Sequence, residues 1–257
     1  YDSNIGKAIA TYRHGGDSTL QAFVISVSGT TPSFGTHAEI DAATDGRPGI
    51  SYDPVEDATL IIWSDNTEGI GNVITVSGTT ISIDSEVTFE ATESCDYCAV
   101  SYDVSAAKHL VAYIEGSPSY YGNMVVATIA SGSVTFGTPV TFEYSAVTDI
   151  NCAYDANLQK TCIVYNKATN NAEASIVTIS GTTPTETLSG TSIATGANSS
   201  DPDVVYDPDT GRRICCYYNQ TDANSDSTIL TNSVTTTADD YLGIAQATVA
   251  DDTTVTI

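Results

Sequence analysis

Residues 49–63, GISYDPVEDATLIIW, decide the fold of this chain. A short apolar segment ends at Tyr52, a polar turn follows from Asp53, and a second apolar segment runs to Trp63. Short apolar runs on either side of a polar, proline-containing turn are typical of two antiparallel strands. Residues 49–63 therefore predict a β-hairpin.

The hairpin pattern recurs along the chain. Tyr-Asp dipeptides follow one another at intervals of 51, 50, 52 and 52 residues, beginning at Tyr1, Tyr52, Tyr102, Tyr154 and Tyr206. A second aromatic residue stands eleven positions after each of these tyrosines, at Tyr12, Trp63, Tyr113, Tyr165 and Tyr217. A period near 50 residues is typical of propellers and related β arrays.

One repeat has room for four strands. Residues 48–91 contain the hairpin, a third strand at residues 72–76, a Ser-Gly turn at Ser77, and a broken fourth strand. Four antiparallel strands are the content of one propeller blade. We therefore predict an all-β, β-propeller-like array of about five four-stranded repeats of ~50 residues.

The boundaries of the array follow from the repeat. We expect residues 1–235 to form the five-repeat domain, and residues 236–257 to be a closing strand or the start of a C-terminal extension. The first copy lacks its first strand because the chain starts at Tyr1, so we expect a trimmed or partial product of a longer chain. Residues 254–257 would supply the missing strand and close a five-bladed ring.

The net charge of the chain limits the kinds of molecule that it can bind. A formal net charge of −24 would repel nucleic acid phosphates and anionic membranes. No run of about 18 apolar residues is present, so we expect no membrane insertion. The acidic residues are interpreted first as a solvated surface, with Ca²⁺ binding as the alternative, although no segment fits an EF-hand loop. We expect no other cofactor and no metal site.

The six cysteines are candidates for disulfides. Six cysteines allow fifteen pairings, and the sequence does not choose among them. Extracellular disulfides are favoured over a zinc site, and buried free thiols are the alternative. The candidates fall into three groups along the chain, Cys95 and Cys98, Cys152 and Cys162, and Cys215 and Cys216.

The loops after the second strand of each repeat are the candidate recognition surface. They differ in length and charge between copies, whereas the flanking strands keep their pattern, and recognition is often placed in variable loops on a regular scaffold. Aromatic rings and amide or carboxylate groups suit a glycan ligand. Exposed polar loops without a ligand are the alternative. The candidate ligand-binding residues are Asp65, Asn66, Glu115, Tyr120, Tyr121, Tyr218 and Asn219.

Signals for catalysis are few. His14, Asp65 and Glu115 each stand 13 residues after a repeat tyrosine and would meet at one rim. A carboxylate pair of Asp65 and Glu115 would permit glycosidic acid–base chemistry. The two residues begin polar loops, which provide no apolar setting to raise a pKa. No nucleophile elbow, HExxH motif or P-loop is present. We therefore expect no enzymatic activity and assign no catalytic residue.

The repeat resembles one found in structural and tail-fibre-like proteins of marine tailed bacteriophages. The resemblance rests on residues 50–54, on the apolar strand that ends in an aromatic residue, and on residues 73–79. Residues 236–245 resemble the segment that follows the repeats in those proteins. The resemblance implies an extracellular, non-enzymatic part of a virion that self-associates or binds other virion proteins and contacts host glycans.

These observations predict a non-enzymatic extracellular structural and adhesive module, namely a virion surface or tail-fibre protein that contacts host surface glycans. One alternative is a subunit of a cellular extracellular filament that polymerises through its terminal strands by edge pairing. A second alternative is a secreted five-bladed glycosidase that uses Asp65 and Glu115.

Overall fold

A computed structural model describes residues 1–42, 44–169, 171–194, 198–221 and 223–230. The predictions for residues 231–257, including the closing strand, lie outside these ranges. Within them the chain forms twenty-one strands and no helix. No helix of the described residues is therefore long and apolar enough to span a membrane.

The strands fall into five consecutive groups that follow the sequence repeat. The first group is Ala8–Arg13 (β1), Leu20–Ser28 (β2), Thr31–Phe34 (β3) and Ala38–Asp41 (β4). The second is Asp45–Asp53 (β5), Ala58–Ser64 (β6), Gly69–Ser77 (β7), Thr80–Ile83 (β8) and Val87–Glu90 (β9). The third is Cys95–Asp103 (β10), Lys108–Glu115 (β11), Gly122–Ala130 (β12), Ser133–Phe136 (β13) and Val140–Glu143 (β14). The fourth is Val147–Asp155 (β15), Lys160–Lys167 (β16), Asn171–Ser180 (β17) and Thr183–Ser192 (β18). The fifth is Ser199–Asp207 (β19), Arg212–Asn219 (β20) and Asn224–Leu230 (β21).

Each group is an antiparallel sheet in chain order. In the second and third groups the fourth position is occupied by two short strands, β8 with β9 and β13 with β14, which pair with the same neighbour. A single parallel pair, Arg47 with Tyr97, joins these two groups into a ten-stranded sheet. The predicted all-β array with a broken fourth strand is confirmed. The number of propeller blades stays a prediction.

The second strand of each complete repeat lies in the core. Every residue of β6 is buried, which explains its unbroken apolar sequence, because a strand covered on both faces has no solvent side. Trp63, Tyr113 and Tyr165 are among the largest fully buried side chains. Their polar atoms reach carboxylates of the preceding repeat, as in the 2.7 Å bond from Trp63 Nε1 to Asp41 Oδ2 and the 3.1 Å bond from Tyr113 to Glu90. The repeated aromatic residues therefore pack the sheets together.

The apolar core lies between repeats. One cluster joins Leu60 of the second repeat to Val125 of the third, and the next joins Leu110 of the third to Ile163 of the fourth. The first strands β5, β10, β15 and β19 contact one another in that order. Each repeat therefore buries its sheet face against the following repeat, with the first strands together on one side of the array.

The Tyr-Asp dipeptides cap the hairpin turns. Asp103 Oδ1 accepts hydrogen bonds from the amides of Ser105 and Ala106, each 2.9 Å long. Asp53 and Asp155 bind the corresponding amides of their own turns in the same way. The repeated aspartates therefore stabilise the polar turns that follow the first strands.

Candidate functional site

The predicted recognition loops and the beginnings of the first strands lie at the same end of the sheets. In antiparallel pairing, the end of a second strand lies beside the start of a first strand. Ser64 pairs with Asp45, and Glu115 pairs with Cys95. Asn219 pairs likewise with Ser199. The Tyr-Asp turns occupy the opposite end.

Asp65 and Asn66 form a local turn. Asp65 Oδ1 accepts bonds from the amides of Thr67, at 3.0 Å, and Glu68, at 2.8 Å. Burial raises the pKa of Asp65, but these amide bonds outweigh it and hold that pKa below its usual range. Asn66 is exposed, with a φ of 79°. The structure gives Asp65 a turn-forming role.

Glu115, Tyr120 and Tyr121 belong to the third repeat. Glu115 Oε2 lies 3.4 Å from Asn123 Nδ2 on the neighbouring strand. Tyr120 is partly exposed, whereas Tyr121 packs edge-on against Tyr144 with ring centroids 5.7 Å apart. The bonds of Asp65 and Glu115 therefore remain within their own repeats.

Tyr218 and Asn219 end the second strand of the fifth repeat. Asn219 is buried, and its Nδ2 donates to Asp226 Oδ2 at 2.8 Å. Its Oδ1 accepts from the amide of Thr221 at 3.0 Å. Tyr218 is 39% exposed. Tyr218 is thus the side chain of this pair that a ligand can reach.

A cavity of about 410 Å³ opens between the first strands of the second, third, fourth and fifth repeats. Its polar and aromatic lining residues are Arg47, Tyr97, Asp149, Asn151, Asp201 and Asp203. We call it the inner-strand pocket. Its volume is within the range of about 300–1,000 Å³ that is common for small-molecule sites.

A backbone irregularity in every contributing strand shapes the inner-strand pocket. The pairing register shifts between Asp45 and Gly49, and between Cys95 and Cys98. It shifts again between Val147 and Asp149, and between Ser200 and Asp203. β-Bulges re-aim side chains and are over-represented beside functional sites. Each of the four shifts spans or adjoins a residue that lines the pocket.

One wall of the pocket is aromatic and cationic. The guanidinium of Arg47 lies 5.0 Å from the centroid of the Tyr97 ring. This cation–π geometry holds a planar donor group beside an aromatic face. Both groups are partners that a sugar ring uses, the aromatic face for its C–H surface and the guanidinium for its hydroxyls.

The other wall is acidic. Burial raises the pKa of Asp149, and the charge of Asp201 raises it further, against the opposing hydroxyl of Thr148 and the charge of Arg47. Asn151 Nδ2 donates to Asp203 Oδ1 at 2.6 Å. The pocket therefore presents carboxylate acceptors, an amide and a guanidinium around one cavity.

The sequence contains a signal for this pocket, and it lies in the first strand of each repeat, outside the variable loops. Arg47, Tyr97, Asp149 and Asp201 each stand five residues before a repeat tyrosine. The copies differ in charge and size at this position, although the strand around it repeats. A position that varies within an otherwise regular strand indicates a side chain selected for something other than packing.

The structure does not support the predicted disulfides, because all six cysteines are free thiols. Cys152 pairs with Ile163 and Cys162 pairs with Ala153, so the two thiols point to opposite faces of one sheet. They belong to different core clusters. The same alternation buries Cys215 and exposes Cys216. Cys95 and Cys98 share one core cluster because a bulge lies between them.

Metal binding receives no support within the part of the chain that the structure describes. No group of three His, Cys, Asp or Glu side chains there is placed to hold a metal ion. His14 instead pairs with Asp17 at 2.7 Å. The alternative of Ca²⁺ sites therefore gains nothing from these residues.

No protein-family model and no curated protein sequence matches this chain. Solved structures match its fold. A protein of unknown function from Dyadobacter fermentans gives a TM-score of 0.57 at 11% identity, covering 90% of this chain and 76% of that one. The Aleuria aurantia lectin, as a mutant in complex with Fucα1-6GlcNAc, gives 0.54 at 10% identity and covers 89% and 76%.

An exo-β-1,3-galactanase from Phanerochaete chrysosporium, with β-1,3-galactotriose, gives a TM-score of 0.51 at 13% identity. The match covers 76% of this chain and 48% of the galactanase chain, about half its length. At these identities the likeness is one of fold. The fold of this chain is thus similar to that of a lectin and of a glycan-cleaving enzyme.

Proposed function

We propose that this chain is a non-enzymatic glycan-binding module whose sugar site is the inner-strand pocket. The observation that carries the proposal is the shared repeat position of Arg47, Tyr97, Asp149 and Asp201, which brings a cationic, an aromatic and two acidic side chains to one cavity. Regular packing would need similar residues at equivalent positions. A basic, an aromatic and two acidic residues at one repeat position are instead what a binding site built on a repeat scaffold would use.

The lining chemistry supports a sugar ligand. The Tyr97 ring offers a face for stacking, while the pocket carboxylates and guanidinium offer acceptors and donors for hydroxyl groups. The exposed ring of Tyr218, at the same end of the sheets, would extend the contact surface toward a longer chain. The fold likeness to the Aleuria aurantia lectin agrees with this function.

A glycan array, followed by calorimetry with the best ligand, tests the proposal. We expect Tyr97→Ala to weaken binding about tenfold or more, as loss of an aromatic contact and its buried area would require. Tyr218→Ala tests the neighbouring loop, and Val104→Ala, exposed at the opposite end, is the matched control. Equal binding by wild type and Tyr97→Ala would remove the pocket from the proposal.

Glycoside hydrolysis is a second candidate because of one observation, the raised pKa of Asp149 beside the charge of Asp201. A carboxyl group whose pKa is raised beside a second carboxylate resembles an acid–base pair. Incubation of the bound glycan with wild-type protein decides between the two functions. Intact glycan supports the binding module, whereas cleavage that Asp149→Asn abolishes supports the hydrolase.

The placement on a virion stays a prediction from the sequence resemblance. A glycan-binding site at one end of a repeat array would suit a surface appendage of a phage, and equally a cellular filament subunit. Electron microscopy of the native assembly distinguishes these placements. Copies at the tail or capsid surface would support the virion, and copies strung into a fibre without a capsid would support the filament.

A further inference from the structure

The inner-strand pocket carries an excess of negative charge. Three of its lining residues are carboxylates, Asp149, Asp201 and Asp203, and Arg47 is its one basic lining residue. The surrounding chain adds to this field, since its formal net charge is −24. An acidic sugar would therefore meet repulsion in the pocket, and a cationic ligand would meet attraction.

The charges of the pocket are unequally compensated. The Arg47 guanidinium lies against the Tyr97 ring. Asp203 Oδ1 already accepts bonds from Asn151 Nδ2 at 2.6 Å and from the amide of Val204 at 2.8 Å. Asp203 is thus committed to contacts inside the protein, whereas the charge of Arg47 acts both on the Tyr97 ring and on Asp149.

The compensation of Asp149 and Asp201 comes from hydrogen bonds, one of them from the Asp201 backbone to Asp149, and from the nearby charge of Arg47. Thr148 Oγ1 donates to Asp149 Oδ2 at 3.2 Å, and Ser200 Oγ donates to Asp201 Oδ2 at 2.9 Å. None of the ion pairs between described residues includes either carboxylate. Two like charges at the edge of a half-buried cavity are stabilised by a cation placed between them.

The position of Asp149 and Asp201 in the pocket suits a sugar that carries a positively charged group. The carboxylates of Asp149 and Asp201 and the ring of Tyr97 line the same cavity. A hexosamine offers a ring face for the tyrosine and an ammonium group with three donors. A hydrogen bond between an ammonium and a carboxylate is roughly twice as strong as a neutral one.

We infer that the inner-strand pocket selects a sugar with a free, protonated amino group, bound between Asp149 and Asp201, over its N-acetylated or acidic counterparts. This inference rests on the proposed glycan-binding function and adds the class of ligand to it. It makes Asp149 and Asp201 the specificity-determining residues and Tyr97 the residue that binds the ring.

Matched ligand pairs test the inference. Calorimetry compares oligosaccharides of glucosamine, galactosamine and mannosamine with their fully N-acetylated counterparts, on the same protein at the same salt concentration. We expect at least one amino form to bind about tenfold or more tightly than its acetylated form, as expected for a charge-assisted hydrogen bond. The preference should weaken as salt is raised, because screening reduces the attraction.

Isosteric variants assign the preference to the pocket. Asp149→Asn and Asp201→Asn should each remove most of the preference for the amino form, whereas Tyr97→Ala should weaken both forms. The control is Asp209→Asn, which removes the same charge from the exposed turn at the opposite end and should leave binding unchanged. Circular dichroism of each variant shows whether the fold is retained.

The outcomes separate the inference from the proposed function. Acetylated or neutral sugars that bind as tightly as the amino sugars, with affinity lost in Tyr97→Ala but kept in Asp149→Asn, would overturn the amino-group inference and leave glycan binding in place. Absence of binding to every sugar class by the wild type would overturn both.

Discussion

Arg213 Nε lies 3.2 Å from Asp155 Oδ2, and both side chains are almost completely buried. Asp155 belongs to the Tyr-Asp turn of the fourth repeat, and Arg213 stands seven residues after the tyrosine of the fifth. The same two repeat positions bring His109 Nε2 within 3.5 Å of Asp53 Oδ2. The turn aspartate of one repeat therefore contacts the second strand of the next.

Because this ion pair is buried, removing the cationic Arg213 should lower the free energy of unfolding substantially. Arg213→Leu leaves the Asp155 carboxylate buried without its partner, which typically costs about 3–5 kcal/mol. We expect that loss in the free energy of unfolding measured with urea. Arg212→Leu, one residue earlier and partly exposed, is the matched control and should cost less than about 1 kcal/mol. Equal losses in the two variants would contradict a special role for the pair.

Replacing the turn aspartates should lower the free energy of unfolding by amounts that depend on how deeply each aspartate is buried. Asp103 is buried, and Asp103→Ala leaves the amides of Ser105 and Ala106 without an acceptor, at a cost of about 1–3 kcal/mol. Asp207 makes exposed bonds to the corresponding turn, so water replaces them in Asp207→Ala. We expect Asp207→Ala to lose clearly less stability. The ranking fails if both variants unfold at the same urea concentration.

Asp53 predicts how stability depends on pH. Burial raises its pKa, but His109 and the amides of Glu56 and Val55 together hold it below the ordinary value of 3.8. A carboxyl group with a lowered pKa in the folded state contributes stability above pH 3.8, and this contribution is lost as the pH falls through the folded pKa. Unfolding free energies between about pH 5 and pH 2 should therefore fall less steeply in Asp53→Asn than in the wild type. An unchanged slope would rule out this linkage.

Gly69 illustrates a close approach that only glycine permits. A Cβ atom at this position would stand 2.5 Å from the Phe89 ring and 2.6 Å from Cys95 Sγ. Gly69→Ala should therefore cost about 1–3 kcal/mol through overpacking. Gly15→Ala is the control, because a Cβ atom there meets nothing within 4 Å. Thermal unfolding of the two variants gives the comparison, and a stable Gly69→Ala protein would show that the ring moves aside.

The sequence predicts those features that depend on local chemistry. The turn role of Asp103 could be predicted, because its acceptor atom and the two amides lie within three residues. Burial of Trp63 could be predicted from the apolar run around it. The inner-strand pocket could not, because its shape depends on four register shifts between strands. A register shift is a property of pairing, and a single strand does not contain it.

The reactivity of the thiols is a further prediction. Cys216 is exposed, whereas the other five cysteines are buried. Burial raises the pKa of Cys162 to about 11, with the charge of Arg213 opposing it, and burial also raises the pKa of Cys152 and of Cys215. Burial raises the pKa of Cys216 too, with the charge of Asp203 adding to it, but its exposure lets iodoacetamide reach it, so iodoacetamide at pH 8 should modify Cys216 first. Intact-mass spectrometry should then show a single adduct on the folded protein.

Denaturation without reductant completes the thiol test. Six adducts are expected once the chain is unfolded, since all six cysteines are free thiols in the structure. Cys216→Ser should abolish the adduct of the folded protein and leave five after denaturation. Two missing adducts would reveal a disulfide, and Cys95 with Cys98 would be the first pair to examine, because both lie in one core cluster. That pair flanks Tyr97, so its oxidation state would also bear on the aromatic wall of the inner-strand pocket.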